Sequence, residues 1–328
     1  MTATQLTVAS ERWPLARPFA ISRGVKTEAH VVVAKLSCDG VTGKGECVPY
    51  PRYNETVDGV IAEINSLAGD LKNGLDNDGL LSLMKPGAAR NAVDCALWDL
   101  AAKQSCKRVW QLLNRNAPEP SVTAETIGID SVDNMAAQAR KLSHAKLLKI
   151  KLGADDVIDR MQAVRDNAPN ARLVIDPNEA WNVTELIGYV PELKTLGVEM
   201  IEQPVPANDD EGLKNFTSAI PICADEACHT SADLETLVGK YDMVNVKLDK
   251  TGGLTEALVL AERAHSLGFG IMVGCMVGTS LAMAPAMLIA GVASVIDLDG
   301  PLLLKNDRVP GLEFSNGLIH APAADLWG

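Results

Sequence analysis

A chain of 328 residues, 47% hydrophobic and 22% charged, has ordinary globular composition; this excludes wholesale disorder and points to one large barrel-type domain with an appendage, or to two domains. The formal net charge of −12 disfavours a general role on nucleic acid or an anionic membrane, while leaving open a local basic pocket and small anionic substrates. Seven cysteines without a CxxC pair and five histidines without an HExxH-type cluster argue for reduced thiols in a cytoplasm, against a disulfide frame or a zinc site. The opening Met-Thr-Ala-Thr-Gln has neither a basic region nor an apolar core and does not read as a secretory signal.

In chain order, residues 6–9, 30–38 and 42–48 read as strands, the last two joined through the hairpin turn Asp39-Gly40. Gly40, Gly43 and Gly45 have a spacing that suggests a nucleotide loop, but no helix opens after them, so they read as turn glycines. The helical run 88–103 puts Ala92, Cys95, Ala96, Asp99 and Ala102 near one stripe, a small-residue face suited to close packing. Residues 1–118 thus form an α+β unit. From Pro120 the texture changes to β-rich runs at 122–126, 147–151, 173–176, 200–202, 222–225, 244–247, 271–275 and 295–299, with helix candidates such as 155–166, 231–239 and 254–267 between them. Eight such runs predict an α/β fold: a modified (β/α)8 TIM-type barrel over 119–310 under an N-terminal α+β capping domain, with the tail 311–328 packing back on the cap. The uncharged stretch 269–296 is long enough to cross a bilayer, but its glycines and Pro285 break it into a buried strand, a loop and a small-residue helix at about 279–291.

The C-terminal ends of barrel strands build active sites, so the residue on which each apolar run stops carries chemical meaning. Those residues are Lys151, Asp176, Glu202, Asp225, Lys247, Cys275, then Asp297 with Asp299. Any one of the acids reads as a helix cap or turn residue. Asp176, Glu202 and Asp225 on three successive strands instead offer hard oxygen ligands, a Mg²⁺ or Mn²⁺ site with positions left for substrate. Lys149 and Lys151 share one strand face. Lys151 and Lys247 lie on strands four apart in a ring of eight, so they approach the axis from opposite sides and offer a base to each face of a carbon held there. A proton α to a carboxylate is too weakly acidic for lysine alone, so the dication must stabilise charge developing on oxygen. The lysine base also needs a lowered pKa, from neighbouring cations such as Lys149 and from desolvation.

These residues sit in Lys-Ile-Lys at 149–151, Ile-Asp-Pro-Asn-Glu-Ala-Trp at 175–181, Ile-Glu-Gln-Pro at 201–204, Ala-Asp-Glu at 224–226, Asn-Val-Lys-Leu-Asp-Lys-Thr-Gly-Gly at 245–253, and Ala-Leu-Trp-Asp-Leu at 96–100. As a set they resemble the muconate-lactonizing subgroup of the enolase superfamily, over essentially the whole chain. Asp176-Pro177-Asn178 departs from that family's Asp-Ala-Asn. Asp297-Leu-Asp299 followed by Gly300-Pro301 looks like the L-Ala-D/L-Glu (dipeptide) epimerases within the subgroup. That resemblance implies two carboxylates gripping the dipeptide's ammonium, an arginine (Arg23) pairing with the glutamate side chain, and further substrate contacts at Thr126, Cys275 and Val277, with Lys149 helping to hold the α-carboxylate. It implies a cytoplasmic Mg²⁺-dependent isomerase of murein-derived dipeptides, with Tyr50 to Tyr53 as a lid, no nucleic-acid or membrane partner, and room for a homo-oligomer. The open alternatives are cycloisomerisation or dehydration as in o-succinylbenzoate synthesis, and a non-catalytic metal-binding protein on this fold.

Overall fold

Three antiparallel strands, Gln5–Ile21, Gly24–Cys38 and Val41–Cys47, open the computed structural model, which describes residues 3–328. The first runs far beyond the expected 6–9, through Pro14 and a register shift between Pro14 and Phe19. It is the edge strand of its sheet, where a proline costs no ladder hydrogen bond on the solvent side. The Asp39-Gly40 turn is as expected, with both residues at positive φ (51° and 80°), the twist that two-residue hairpins require.

Gly43 and Gly45 are a correction: they lie inside the third strand, not in a turn. The helix Ala88–Ser105 lies directly on them, and a Cβ on Gly45 would stand 2.1 Å from the Ala92 carbonyl oxygen, one on Gly43 2.3 Å from that of Ala96. The small-residue stripe of the helix and the two strand glycines are thus two halves of one close contact. Gly45→Ala is expected to cost about 3 kcal/mol or more, since backbone must move to admit the methyl group. Gly69→Ala, in a helix with nothing within 4 Å of the new Cβ, should gain about 0.5 kcal/mol. Urea denaturation of the two variants checks the contrast, and equal effects would contradict it.

Eight parallel strands follow in one sheet, in sequence order: Glu125–Ile127, Leu147–Lys151, Arg172–Asp176, Val198–Glu202, Ile222–Ala224, Met243–Val246, Gly270–Val273 and Val295–Ile296. The eighth meets the first through Ala124 N–H on Ile296 O (2.8 Å), and Leu298 N–H donates to Thr123 Oγ1 (3.1 Å) at the same seam. The expected run 122–126 is divided. Ser121–Val122 joins a small antiparallel sheet with Phe314–Ser315 and Leu318–Ile319, and only Glu125–Ile127 enters the barrel. The expected 295–299 ends at Ile296, with a short helix Gly300–Leu303 after it, and 231–239 keeps only Leu234–Leu237 as helix. In that segment Asp233 spends its carboxylate on the backbone N–H of His229 and Thr230, which holds a turn where a helix would start. Among the described residues no helix is long and apolar enough to cross a membrane. The uncharged stretch resolves into the strand Gly270–Val273 and the buried helix Ser280–Ala290.

The tail reaches the first unit: Trp327 Nε1 donates to Cys95 O (3.0 Å), Gly328 N to Asp99 Oδ1 (2.7 Å), and Val109 N to Gly328 O (2.9 Å).

Candidate active site

Strand alternation explains how apolar sequence delivers charge to the barrel axis. Ala124, Leu147, Val174, Met200, Cys223, Met243, Met272 and Val295, one per strand, pack together as the floor of the interior. Two residues further along each strand the same face carries Thr126, Lys149, Asp176, Glu202, Asp225, Asn245, Gly274 and Asp297. Another step up brings Lys151, Lys247 and Asp299. The remaining positions, such as Leu148 and Ile150, face the outer core.

The charged layer is one alternating network. Lys151 Nζ lies 2.5 Å from Asp176 Oδ2; Lys149 Nζ lies 3.3 Å from that same oxygen, 2.6 Å from Glu202 Oε2 and 2.7 Å from Asp297 Oδ2. Lys247 Nζ continues it, 3.7 Å from Glu202 Oε1 and 2.6 Å from Asp225 Oδ2. Lys250 ends it, 2.7 Å from Asp225 Oδ1, while also donating to the carbonyls of Asp225, Cys228 and Asn245 at 2.5, 2.7 and 2.9 Å. Buried charges in such a set persist only because each has a partner.

Burial pushes the Asp176 carboxyl up, but Lys151 and Lys149 outweigh it and hold it down at about 2. Glu202, one place further from Lys151, goes the other way: burial and the Asp176 charge raise it. Burial lowers Lys247, yet Asp225 and Glu202 outweigh that and hold its ammonium well above the ordinary lysine range; burial against Asp297, Glu202 and Asp176 gives the same result for Lys149. For Lys247 this direction opposes the lowered basicity expected from the sequence, because carboxylates, not cations, are its nearest neighbours. An ammonium so held gives up its proton only where those carboxylates are engaged elsewhere.

Residues 134–325 match the family described as enolase C-terminal domain-like, and residues 3–114 the mandelate racemase / muconate lactonizing enzyme N-terminal domain. The chain belongs to the mandelate racemase / muconate lactonizing enzyme family of the enolase superfamily. L-Ala-D/L-Glu epimerase from Escherichia coli (strain K12) is 48% identical over 315 residues, covering 95% of this chain and 98% of that one. N-acetyl-D-glutamate racemase from Pseudoalteromonas sp. is 46% identical over 300 residues, 91% of this chain and 95% of that one. The crystal structure of an enolase family member from Agrobacterium tumefaciens with homology to dipeptide epimerases, with bound sodium, L-Ala-L-Glu and an ordered loop, has a TM-score of 0.97 at 49% identity. It covers 99% of this chain and 100% of that one.

In this member of the enolase superfamily, ten of the twelve residues singled out in the sequence line one cavity at the C-terminal ends of the strands. The other two, Asp176 and Glu202, lie under it with no exposure. Thr126 contributes its backbone N–H, which donates to Asp299 Oδ2 at 2.7 Å; Asp299 is lifted to about 7 by burial and by Asp297. Asp297 and Asp299 lie past the end of the last strand yet both line the cavity. Cys275 and Val277 form its wall; burial, Asp297 and Asp299 keep the Cys275 thiol protonated. Tyr53 lines the same cavity and packs edge-on against His229, with ring centroids 4.5 Å apart.

The donor chemistry fits a hard dication: every candidate ligand is an oxygen, and Glu202 Oε2, Asp225 Oδ1 and Asn245 Oδ1 are buried without a hydrogen-bond partner. The first two face Lys149 and Lys250 at ion-pair distance but out of hydrogen-bonding geometry. Among the described residues no three Asp, Glu, His or Cys side chains converge on one point by themselves; Lys149 stands between Asp176 and Glu202, and Lys247 between Glu202 and Asp225.

Several participants escaped the sequence reading. Asn245 donates to Glu202 Oε1 at 2.8 Å, and Gly274 leaves room for it, since a Cβ there would stand 2.6 Å from Asn245 Oδ1. Gln203 uses its whole amide: Oε1 accepts from the N–H of Asp225 and Ala227 (2.9 and 3.0 Å), and Nε2 donates to Val205 O and Tyr241 OH (both 2.9 Å). Counting back two from Lys247 on its strand would have found Asn245. Gln203 falls inside the Ile-Glu-Gln-Pro run, but its partners Asp225, Ala227 and Tyr241 are distant in sequence.

Proposed function

We propose that the protein is a magnesium-dependent epimerase interconverting L-Ala-D-Glu and L-Ala-L-Glu in the cytoplasm, with residues 119–310 as catalytic barrel and 1–118 with the tail as its cap. The observation that carries this reading is that Lys151, at the end of the second of eight strands, and Lys247, directly after the sixth, line one cavity. A neutral lysine on one side takes the α-proton of the C-terminal residue. The ammonium of the other returns a proton to the opposite face, which inverts that carbon. Asp176, Glu202 and Asp225 would hold Mg²⁺, with Mn²⁺ as a substitute. When bound, the dication supplies positive charge beside the substrate's α-carboxylate as the proton leaves.

Asp297 and Asp299 are suited to an ammonium group: Asp297 gives one oxygen to Lys149 and keeps Oδ1 buried without a hydrogen-bond partner, and burial and Asp297 raise the carboxyl of Asp299. This favours a free dipeptide over the substrates of cycloisomerisation or o-succinylbenzoate synthesis, which carry no ammonium. The similarity to the racemase of N-acetyl-D-glutamate supports a glutamyl side chain in the same cavity. Incubation with Mg²⁺ and L-Ala-L-Glu in D₂O is expected to give L-Ala-D-Glu with α-deuterium, read by mass spectrometry and chiral chromatography. Exchange of N-acetyl-glutamate in preference to the dipeptide would replace the reading, and exchange of neither would refute it.

A further inference from the structure

The two lysines at the ends of the cavity are held in place differently. Lys151 is the last residue of a strand flanked by neighbours on both sides, and its register partner is Asp176. Lys247 lies one residue beyond its strand and opens the single helical turn Leu248–Thr251, so its placement depends on what holds that turn.

What holds it is the cap. One stripe of the helix Ala88–Ser105 is given over to the segment after Lys247. Arg90 Nε and Nη2 donate to Gly252 O (3.1 Å) and Thr251 O (2.6 Å), Asp94 accepts from the N–H and hydroxyl of Thr255 (3.1 and 2.5 Å), and Trp98 Nε1 donates to Thr255 Oγ1 (2.9 Å). Gly253, at a φ of 118°, permits the approach, since a Cβ there would stand 2.4 Å from Asp94 Cβ.

Nearest to Lys247 in this contact is Asp249, inside the turn itself. Its Oδ1 accepts from Asn91 Nδ2 on the same cap helix and from the N–H of Val48, just past the third cap strand, both at 2.9 Å. Both donors are neutral, and among the described residues no cation pairs with Asp249; burial lifts its carboxyl to about 7. A buried acid without a cation weakens the fold, whereas its one oxygen fixes the turn to two separate pieces of the cap.

We propose that Asp249 and Asn91 are positioning residues for Lys247: through the turn Leu248–Thr251 they set its ammonium in the cavity, while Lys151 takes its place from the strand ladder. On the two-base dipeptide reading above, on which this rests, loosening the contact impairs proton transfer at one face of the α-carbon and spares the other. Misplacing a reacting group by about 1 Å can lower a rate about 100-fold, so even a partial loosening is measurable.

Single-lysine enzymes isolate the two faces. With Mg²⁺ in D₂O, α-deuterium exchange of L-Ala-L-Glu and L-Ala-D-Glu depends on Lys247 in Lys151→Ala and on Lys151 in Lys247→Ala. Adding Asp249→Ala or Asn91→Ala to the first should lower its exchange rate by about tenfold or more, and to the second by less than about threefold. Asp249→Asn, which keeps an accepting oxygen, should retain most of the rate. Misfolding of the cap lowers both rates together, so equal losses in the two backgrounds overturn the assignment, as does an unchanged rate when Asp249→Ala joins Lys151→Ala. A wild type that exchanges neither dipeptide overturns the dipeptide reading itself, and single-lysine enzymes that exchange the same epimer, or none, overturn its two-base part.

Discussion

Lys151→Ala and Lys247→Ala are each expected to lower kcat for epimerisation by at least about 10³-fold, with little change in KM, because inversion needs a base on one face and an acid on the other. The geometry makes the two losses equivalent in kind: Lys151 ends the second barrel strand, Lys247 follows the sixth by one residue, and they are buried against an acid at 2.5 and 2.6 Å respectively. Lys149 shares the strand face of Lys151 but sits one layer deeper, held by Asp176, Glu202 and Asp297, and cannot reach up to substitute. Steady-state rates of the two purified variants check this. A fall of less than tenfold in either would show that its lysine is not a proton carrier.

Lys149→Met should produce the largest effect on the fold. The ammonium is 2% exposed and is shared by three carboxylates, and removing it leaves those charges buried with fewer partners. Breaking a buried ionic set on one side costs about 3–5 kcal/mol, well above the cost of a lost surface pair. The loss has a predictable dependence on pH. Glu202 is already pushed up by burial and by Asp176, and without Lys149 it rises further above its unfolded value. An acid whose folded pKa is raised contributes stability below its unfolded value and loses it as pH climbs through the folded one, so the deficit of Lys149→Met grows from about pH 4 upward. Denaturation of wild type and variant at pH 5 and pH 8 tests this; a deficit independent of pH would mean the damage is one of packing.

Much of this site could be read from the chain because alternation in a barrel strand is strict. Leu147, Lys149 and Lys151 face one way and Leu148 and Ile150 the other, so the polarity of each residue declares its side. The acids at 176, 202 and 225 follow the same rule on neighbouring strands. What escaped depends on partners distant in sequence. Arg23 looks like a free loop cation until the fold brings Asn178, Glu179 and Glu226 to it across more than 150 residues. Gly43 and Gly45 look like turn residues until the helix Ala88–Ser105 is laid on them. The residues 231–239 have helical composition, yet Asp233 finds backbone N–H groups closer to hand and shortens the helix to one turn. A lysine's basicity here depends on which of several acids stands nearest, a matter of fractions of an ångström across strands that alternation does not encode.

In the proposed reaction two amines address one α-carbon from opposite faces, and stereospecific isotope exchange measures that directly. L-Ala-L-Glu and L-Ala-D-Glu are incubated separately in D₂O with Mg²⁺ and Lys151→Ala or Lys247→Ala, and α-deuterium is followed in the unreacted epimer. Each variant should exchange one epimer without inverting it and leave the other untouched, and the two variants should choose opposite epimers. Exchange of the same epimer by both variants would place the two lysines on one face, and exchange of both epimers by either would mean that one base reaches both faces; each result contradicts a two-face arrangement.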